Sequence, residues 1–93
     1  MVRLTEIFHR GGDTMFENWS LRETGINPAH VIKMTEDEQM KEYLARGYLP
    51  KGLDKAQSFI RIILVTGLNP IVVGSLTQIS EKLNPASKQL LHG

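Results

Sequence analysis

The run Phe59-Ile60-Arg61-Ile62-Ile63-Leu64-Val65 constrains this chain more than any other segment. Every position but Arg61 is apolar, so both faces of a strand here must be covered, and the pattern predicts a central strand over Ser58 to Thr66. Gly67-Leu68-Asn69-Pro70 reads as a hairpin connection, and Ile71-Val72-Val73 as the returning antiparallel neighbour, with Pro70 acceptable at a strand's first residue. A chain of 93 residues has one core to build round that strand. A domain this small buries only roughly 60% of the surface its open chain exposes, so a partner or a second copy would add to its stability.

Upstream, Val2 to Phe8 reads as a first strand, with Val2, Leu4 and Phe8 on one side and Glu6 as the exception. Gly11-Gly12-Asp13 opens a loop with an apolar tip at Met15 and Phe16. From Trp19 the alternation resumes, Trp19 and Leu21 against Ser20, Arg22 and Thr24, as in a strand with one wet face. Asn27-Pro28 bends the chain into a third short strand, Val31-Ile32-Lys33-Met34. Thr35-Glu36-Asp37-Glu38 has the form of a capping box and predicts a helix from about Glu36 to Arg46, with Met40, Tyr43 and Leu44 as its apolar stripe and Gly47 as its stop. Residues 48–57 read as irregular. A second capping box, Ser75-Leu76-Thr77-Gln78, starts a short helix with Leu76, Ile79 and Leu83 on one face, ended by Asn84-Pro85.

The order β-β-β-α-β-β-α predicts an α+β domain built on a small, strongly bent antiparallel sheet or open barrel. It spans 1–84 and leaves 85–93 as a C-terminal tail whose large apolar residues are Leu90 and Leu91. The longest wholly apolar stretch, Ile62-Ile63-Leu64-Val65, is far too short to cross a bilayer, so no membrane insertion is expected. Charges in Met1-Val2-Arg3-Leu4-Thr5-Glu6 stand where a secretory leader is apolar, and a cytoplasmic location is the expectation.

The chemistry on offer is sparse. With no cysteine, thiol catalysis, disulfides and cysteine metal centres are excluded. His9, His30 and His92 lack the spacing of a helical metal site, so neither a metal nor another cofactor is expected. His30, beside the Asn-Pro turn, reads as a solvated histidine. Glu36, Asp37, Glu38 and Glu42 resemble a carboxylate cluster, but acidic residues in a first helical turn are what the helix dipole favours. Gly74-Ser75 and Gly11-Gly12 are fragments of nucleotide and nucleophile motifs without the rest of the pattern. No catalytic residue is predicted, and the chain is not expected to be an enzyme.

Two surfaces remain. Met15, Phe16 and Trp19, with Leu90 and Leu91 in the tail, form the candidate protein-contact set; the plainer reading of Trp19 is a plug at one end of the core. Arg3, Arg22, Lys33 and Arg61, on strands, could gather on one sheet face and follow a phosphate backbone. Against that stand the interspersed Glu6 and Glu23 and a formal net charge of +1. Arg61, a charge in the most apolar strand, must be solvated, at an interface or paired, with Glu23 as its expected partner.

Asn27-Pro28-Ala29-His30-Val31-Ile32, the run Phe59 to Gly67, and Val72-Val73-Gly74-Ser75-Leu76-Thr77-Gln78-Ile79 together resemble the layout of the small FlbD-like flagellar proteins. In that family an Asn-Pro turn precedes a strand, a strand-glycine hairpin follows, and a hydroxyl-capped helix ends the chain. The segment Thr35 to Gln57, with its own helix, and the longer N-terminal hairpin depart from the pattern. The resemblance implies a β-rich, non-enzymatic accessory protein. The expected function is therefore a small binding or assembly module, cellular or viral, acting as a homo-oligomer and through protein contacts, with a nucleic-acid-binding regulator as the alternative.

Overall fold

The computed structural model describes residues 1–14 and 16–84. Five strands form a single antiparallel sheet in the order β2-β1-β5-β4-β3, open at both edges, and two helices complete an α+β domain. Strand β1 (Val2–His9) pairs with β2 (Trp19–Ile26) without a break in register, from Val2 opposite Ile26 to His9 opposite Trp19. The Asn27-Pro28 bend is a single turn of 3-10 helix, Pro28–His30, in which the Asn27 side chain accepts the Ala29 N–H. It delivers the chain into β3 (Val31–Glu36), which pairs with β4 (Phe59–Leu64) across a bulge between Val31 and Lys33. Strand β5 (Ile71–Val73) lies between β4 and β1, so the apolar run of β4 is interior to the sheet. With neighbours on both sides and a helix over each face, that run has no wet surface to alternate with.

The sheet separates two apolar clusters. On one face Leu4, Ile26, Ile60, Ile62 and Val72 pack with Ile79 and Leu83 of α2 (Leu76–Leu83). On the other, Ile7 and Phe59 pack with Met40 of α1 (Glu38–Ala45) and with Leu49, flanked by Trp19, Tyr43, Leu44, Ile71 and Val73. Ile7 is thus buried although it points away from Leu4. The face opposite Leu4 is covered as well, by α1 and by Leu49 and Leu53.

Helix α1 starts later than the capping-box pattern predicts. The box at Thr35 is not used, because Thr35 and Glu36 continue β3 opposite Arg61 and Ile60. Asp37 is the cap instead: its side chain accepts the Met40 N–H at 3.0 Å, and its own N–H donates to the Phe59 carbonyl. Sheet pairing holds the two residues a helix would have claimed. Helix α2 begins at Ser75 with both arms of the capping box in place, the Ser75 Oγ accepting the Gln78 N–H and the Gln78 side chain accepting the Ser75 N–H, each at 3.1 Å. Leu76 stays partly exposed while Ile79 and Leu83 carry the helix's buried face.

Glu6, the exception in the first strand's alternation, is buried and satisfied. The Arg22 guanidinium reaches it from the neighbouring strand, Nε at 3.0 Å from Oε1 and Nη2 at 3.4 Å from Oε2, and lies over the Phe8 ring with Cζ 4.1 Å from the centroid. No helix of the described residues is long and apolar enough to cross a membrane.

Candidate binding surface

The most distinctive surface is a run of rings. His9 and Trp19 sit opposite each other at the end of the β1–β2 ladder, centroids 5.1 Å apart and edge to face. Trp19 continues to Tyr43 at 6.1 Å, Tyr43 to Tyr48 at 5.7 Å, and Tyr48 to Phe16 at 4.8 Å. Aromatic pairs at these spacings gain edge and offset-stacking contacts beyond the area they bury. The inner rings are half-buried, and Phe16 at the outer end is 59% exposed.

Three of the rings, Tyr43, Tyr48 and His9, are held by local hydrogen bonds. Tyr43 and Tyr48 meet because α1 ends in a Schellman motif: the Tyr48 N–H donates to the Tyr43 carbonyl at 3.0 Å, the Gly47 N–H donates to that of Leu44 at 3.1 Å, and Gly47 takes the left-handed conformation, φ 81°. That reversal folds the residue after the glycine back onto the third-last helical residue. His9 is fixed at both nitrogens, its Nδ1 accepting the Gly11 N–H and its Nε2 donating to the Thr14 carbonyl at 2.9 Å. Beside the ledge, the Tyr48 hydroxyl first and the Glu42 carboxylate next raise the pKa of Arg46, whose guanidinium donates to Glu42 at 2.6 Å.

Of the expected contact residues, the structure brings Phe16 and Trp19 into this ledge; Met15, Leu90 and Leu91 lie outside the described residues. Trp19 is half-buried, neither a fully buried plug nor an isolated surface ring, and it has both His9 and Tyr43 as ring neighbours. The sequence reading missed that His9, Tyr43 and Tyr48 belong with them. A signal for two of these was available, because glycine just past a helix predicts contact between Tyr48 and Tyr43.

The four basic residues do not assemble as one face. Arg22 projects with Glu6 to the α2 side of the sheet, while Arg3, Lys33 and Arg61 occupy strand positions of the opposite parity. Three of the four face carboxylates: Arg3 with Glu23 at 3.4 Å, Arg22 with Glu6 at 3.0 Å, and Arg61 with Asp37 at 2.9 Å. The expected Arg61–Glu23 pair is replaced because Asp37, at the end of β3, stands next to Arg61 while Glu23 lies across the sheet on β2.

A shallow groove of about 390 Å³ lies between β2 and the β4–β5 hairpin, lined by Glu6, Arg22, Ile26, Leu64, Leu68 and Pro70 among others. Its charged groups, Glu6 and Arg22, are bonded to each other. His30 is exposed, and its carbonyl accepts the Val65 N–H. Among the described residues, no three His, Asp or Glu side chains converge as metal ligands. Comparison with protein-family models, with curated proteins and with solved structures finds no match to this chain.

Proposed function

We propose that this chain is a small non-enzymatic assembly module that associates with itself and contacts protein surfaces through the aromatic ledge, in the cytoplasm. The observation that carries the reading is the ledge itself, in which four aromatic rings and His9 run in contact from the sheet to an outermost ring left in solvent. Rigid aromatic side chains give large contact area at small entropic cost and dominate the energetics of protein interfaces. The accessory role implied by the resemblance to FlbD-like proteins agrees with this. The nucleic-acid alternative is weakened by the carboxylates that face Arg3, Arg22 and Arg61, since a phosphate must displace a partner at each.

Light scattering of the purified chain, at low and high salt and with and without nucleic acid, tests the reading. Trp19 is the sole tryptophan, so its emission reports directly on cover over the ledge. The expected result is a stable multiple of 10.5 kDa that ignores salt and nucleic acid, with Trp19 emission moving to the blue as concentration rises. A monomer whose mass changes only with nucleic acid, and only at low salt, overturns it in favour of the alternative.

A further inference from the structure

The two edges of this sheet are built differently. Edge strand β3 carries the devices that prevent strand addition: a bulge between Val31 and Lys33, a lysine in mid-strand and a proline just before it begins. Edge strand β2 has none of them. It is eight residues long, in unbroken register with β1, and without proline, lysine or bulge.

The hydrogen-bond phase of β2 is fixed by its hairpin. Arg10 donates to the Asn18 carbonyl at 2.8 Å, so even-numbered residues of β2 bond to β1, and Leu21, Glu23 and Gly25 turn their N–H and C=O groups outward. An outward row of that kind is a template for another strand. We infer that the β2 edge binds the β2 edge of a second copy, antiparallel about a two-fold axis at Leu21. This inference rests on the self-association proposed above and adds to the ledge a strand-pairing edge that ends at Trp19.

The register follows from the side chains. An axis at Arg22 sets Arg22 against Arg22, and one at Glu23 sets Glu23 against Glu23; both place like charges directly opposite. An axis at Leu21 sets Leu21 against Leu21, Arg22 against Ser20, and Trp19 against Glu23. It also leaves Gly25, against which Met1 rests, outside the paired stretch. Leu21 is 38% exposed and shares the sheet face of Ile7 and Trp19, so the two copies join their ledge-bearing faces into one continuous surface. The same patch meets itself, which closes the pair and stops further growth.

The test uses the full chain and two substitutions. Leu21→Pro removes an outward N–H and a side chain already 38% exposed, both of which an edge strand tolerates, so the monomer fold and its far-ultraviolet spectrum persist while the dimer dissociation constant rises at least about tenfold. Leu21→Cys in this cysteine-free chain forms a disulfide with its own copy under mild oxidation, because residues directly opposite in a bonded pair lie about 5.5 Å apart at Cα, within disulfide reach. Ile32→Cys, on the protected edge and 64% exposed, does not. Self-association that survives Leu21→Pro, or cross-linking as efficient at position 32 as at 21, overturns the edge assignment and leaves the assembly reading standing. A wild-type chain that stays monomeric overturns both.

Discussion

Arg61 on β4 and Asp37 at the start of α1 join two elements through one carboxylate: Nη2 donates to Oδ2 at 2.9 Å while Oδ1 accepts the Met40 N–H at 3.0 Å. The Asp37 side chain is 7% exposed and that of Arg61 41%, so the pair has a dry side and a wet side. The cation in the most apolar strand is thus explained without a ligand. It holds the helix cap against the sheet, and the cap in turn answers the one charge the strand carries.

Removing that carboxylate takes away a helix cap and a charge partner together. Asp37→Ala is expected to lower the unfolding free energy by about 2 kcal/mol. Asp37→Asn keeps an acceptor for Met40 and should cost about half as much. Urea unfolding of the two variants decides the point, and equal losses would show that the cap contributes nothing.

The Glu6–Arg22 pair makes the opposite case. Glu6 is buried beside Leu4 and Val72 chemistry, and burying a charge offsets much of what its partner returns. Glu6→Leu should therefore change stability by less than about 1 kcal/mol in either direction. Arg22→Ala, which strands the carboxylate, should cost about 3 kcal/mol. Chemical denaturation that ranks the two variants the other way would refute this account.

Two glycines with near neighbours should respond differently to alanine. Gly74 has φ 145°, and a Cβ there would stand 2.8 Å from Ile79 Cδ1 in the core, so Gly74→Ala is expected to cost about 1–3 kcal/mol. Gly25 has ordinary strand geometry, and its Cβ would meet only the exposed Met1 side chain, whose sulfur at 2.9 Å is free to move aside. Gly25→Ala should be near neutral, and thermal melting of both variants reads the difference.

Phe16→Ala separates surface from core. With its ring mostly in solvent, the substitution should alter monomer stability by no more than about 0.5 kcal/mol. Under the assembly reading it should also reduce the concentration-dependent blue shift of Trp19. Lost stability without any change in association would assign Phe16 to the fold.

Most elements were legible because their signals are local. The Ser75 capping box, the Asn27-Pro28 bend and the unbroken apolar run of β4 each state their structure within a few residues. What escaped the sequence depends on neighbours far along the chain. Thr35 and Glu36 stay in β3 because Arg61 and Ile60 pair with them, and Ile7 is buried because Met40 and Leu49, far along the chain, cover it. The ledge was legible in part: Phe16 and Trp19 stand close in sequence, whereas His9 joins them through hairpin register and Tyr43 with Tyr48 through a helix built much later in the chain. The basic residues misled for the same reason, since parity along β2 sends Arg22 to one side and register across the sheet gives Arg61 a nearer carboxylate than Glu23.

The short strand β5 has a consequence for how the chain is made. It is three residues long, it holds β1 to the rest of the sheet at Glu6↔Val72 and Ile7↔Ile71, and it lies near the far end of the sequence. During synthesis the β1–β2 hairpin emerges before β5, so its seat does not exist until residues 71–73 have left the ribosome. Until then the hairpin has two open flanks rather than one. The hairpin is made before the strand that seats it, and the interval between the two is when pairing between chains competes with pairing within one.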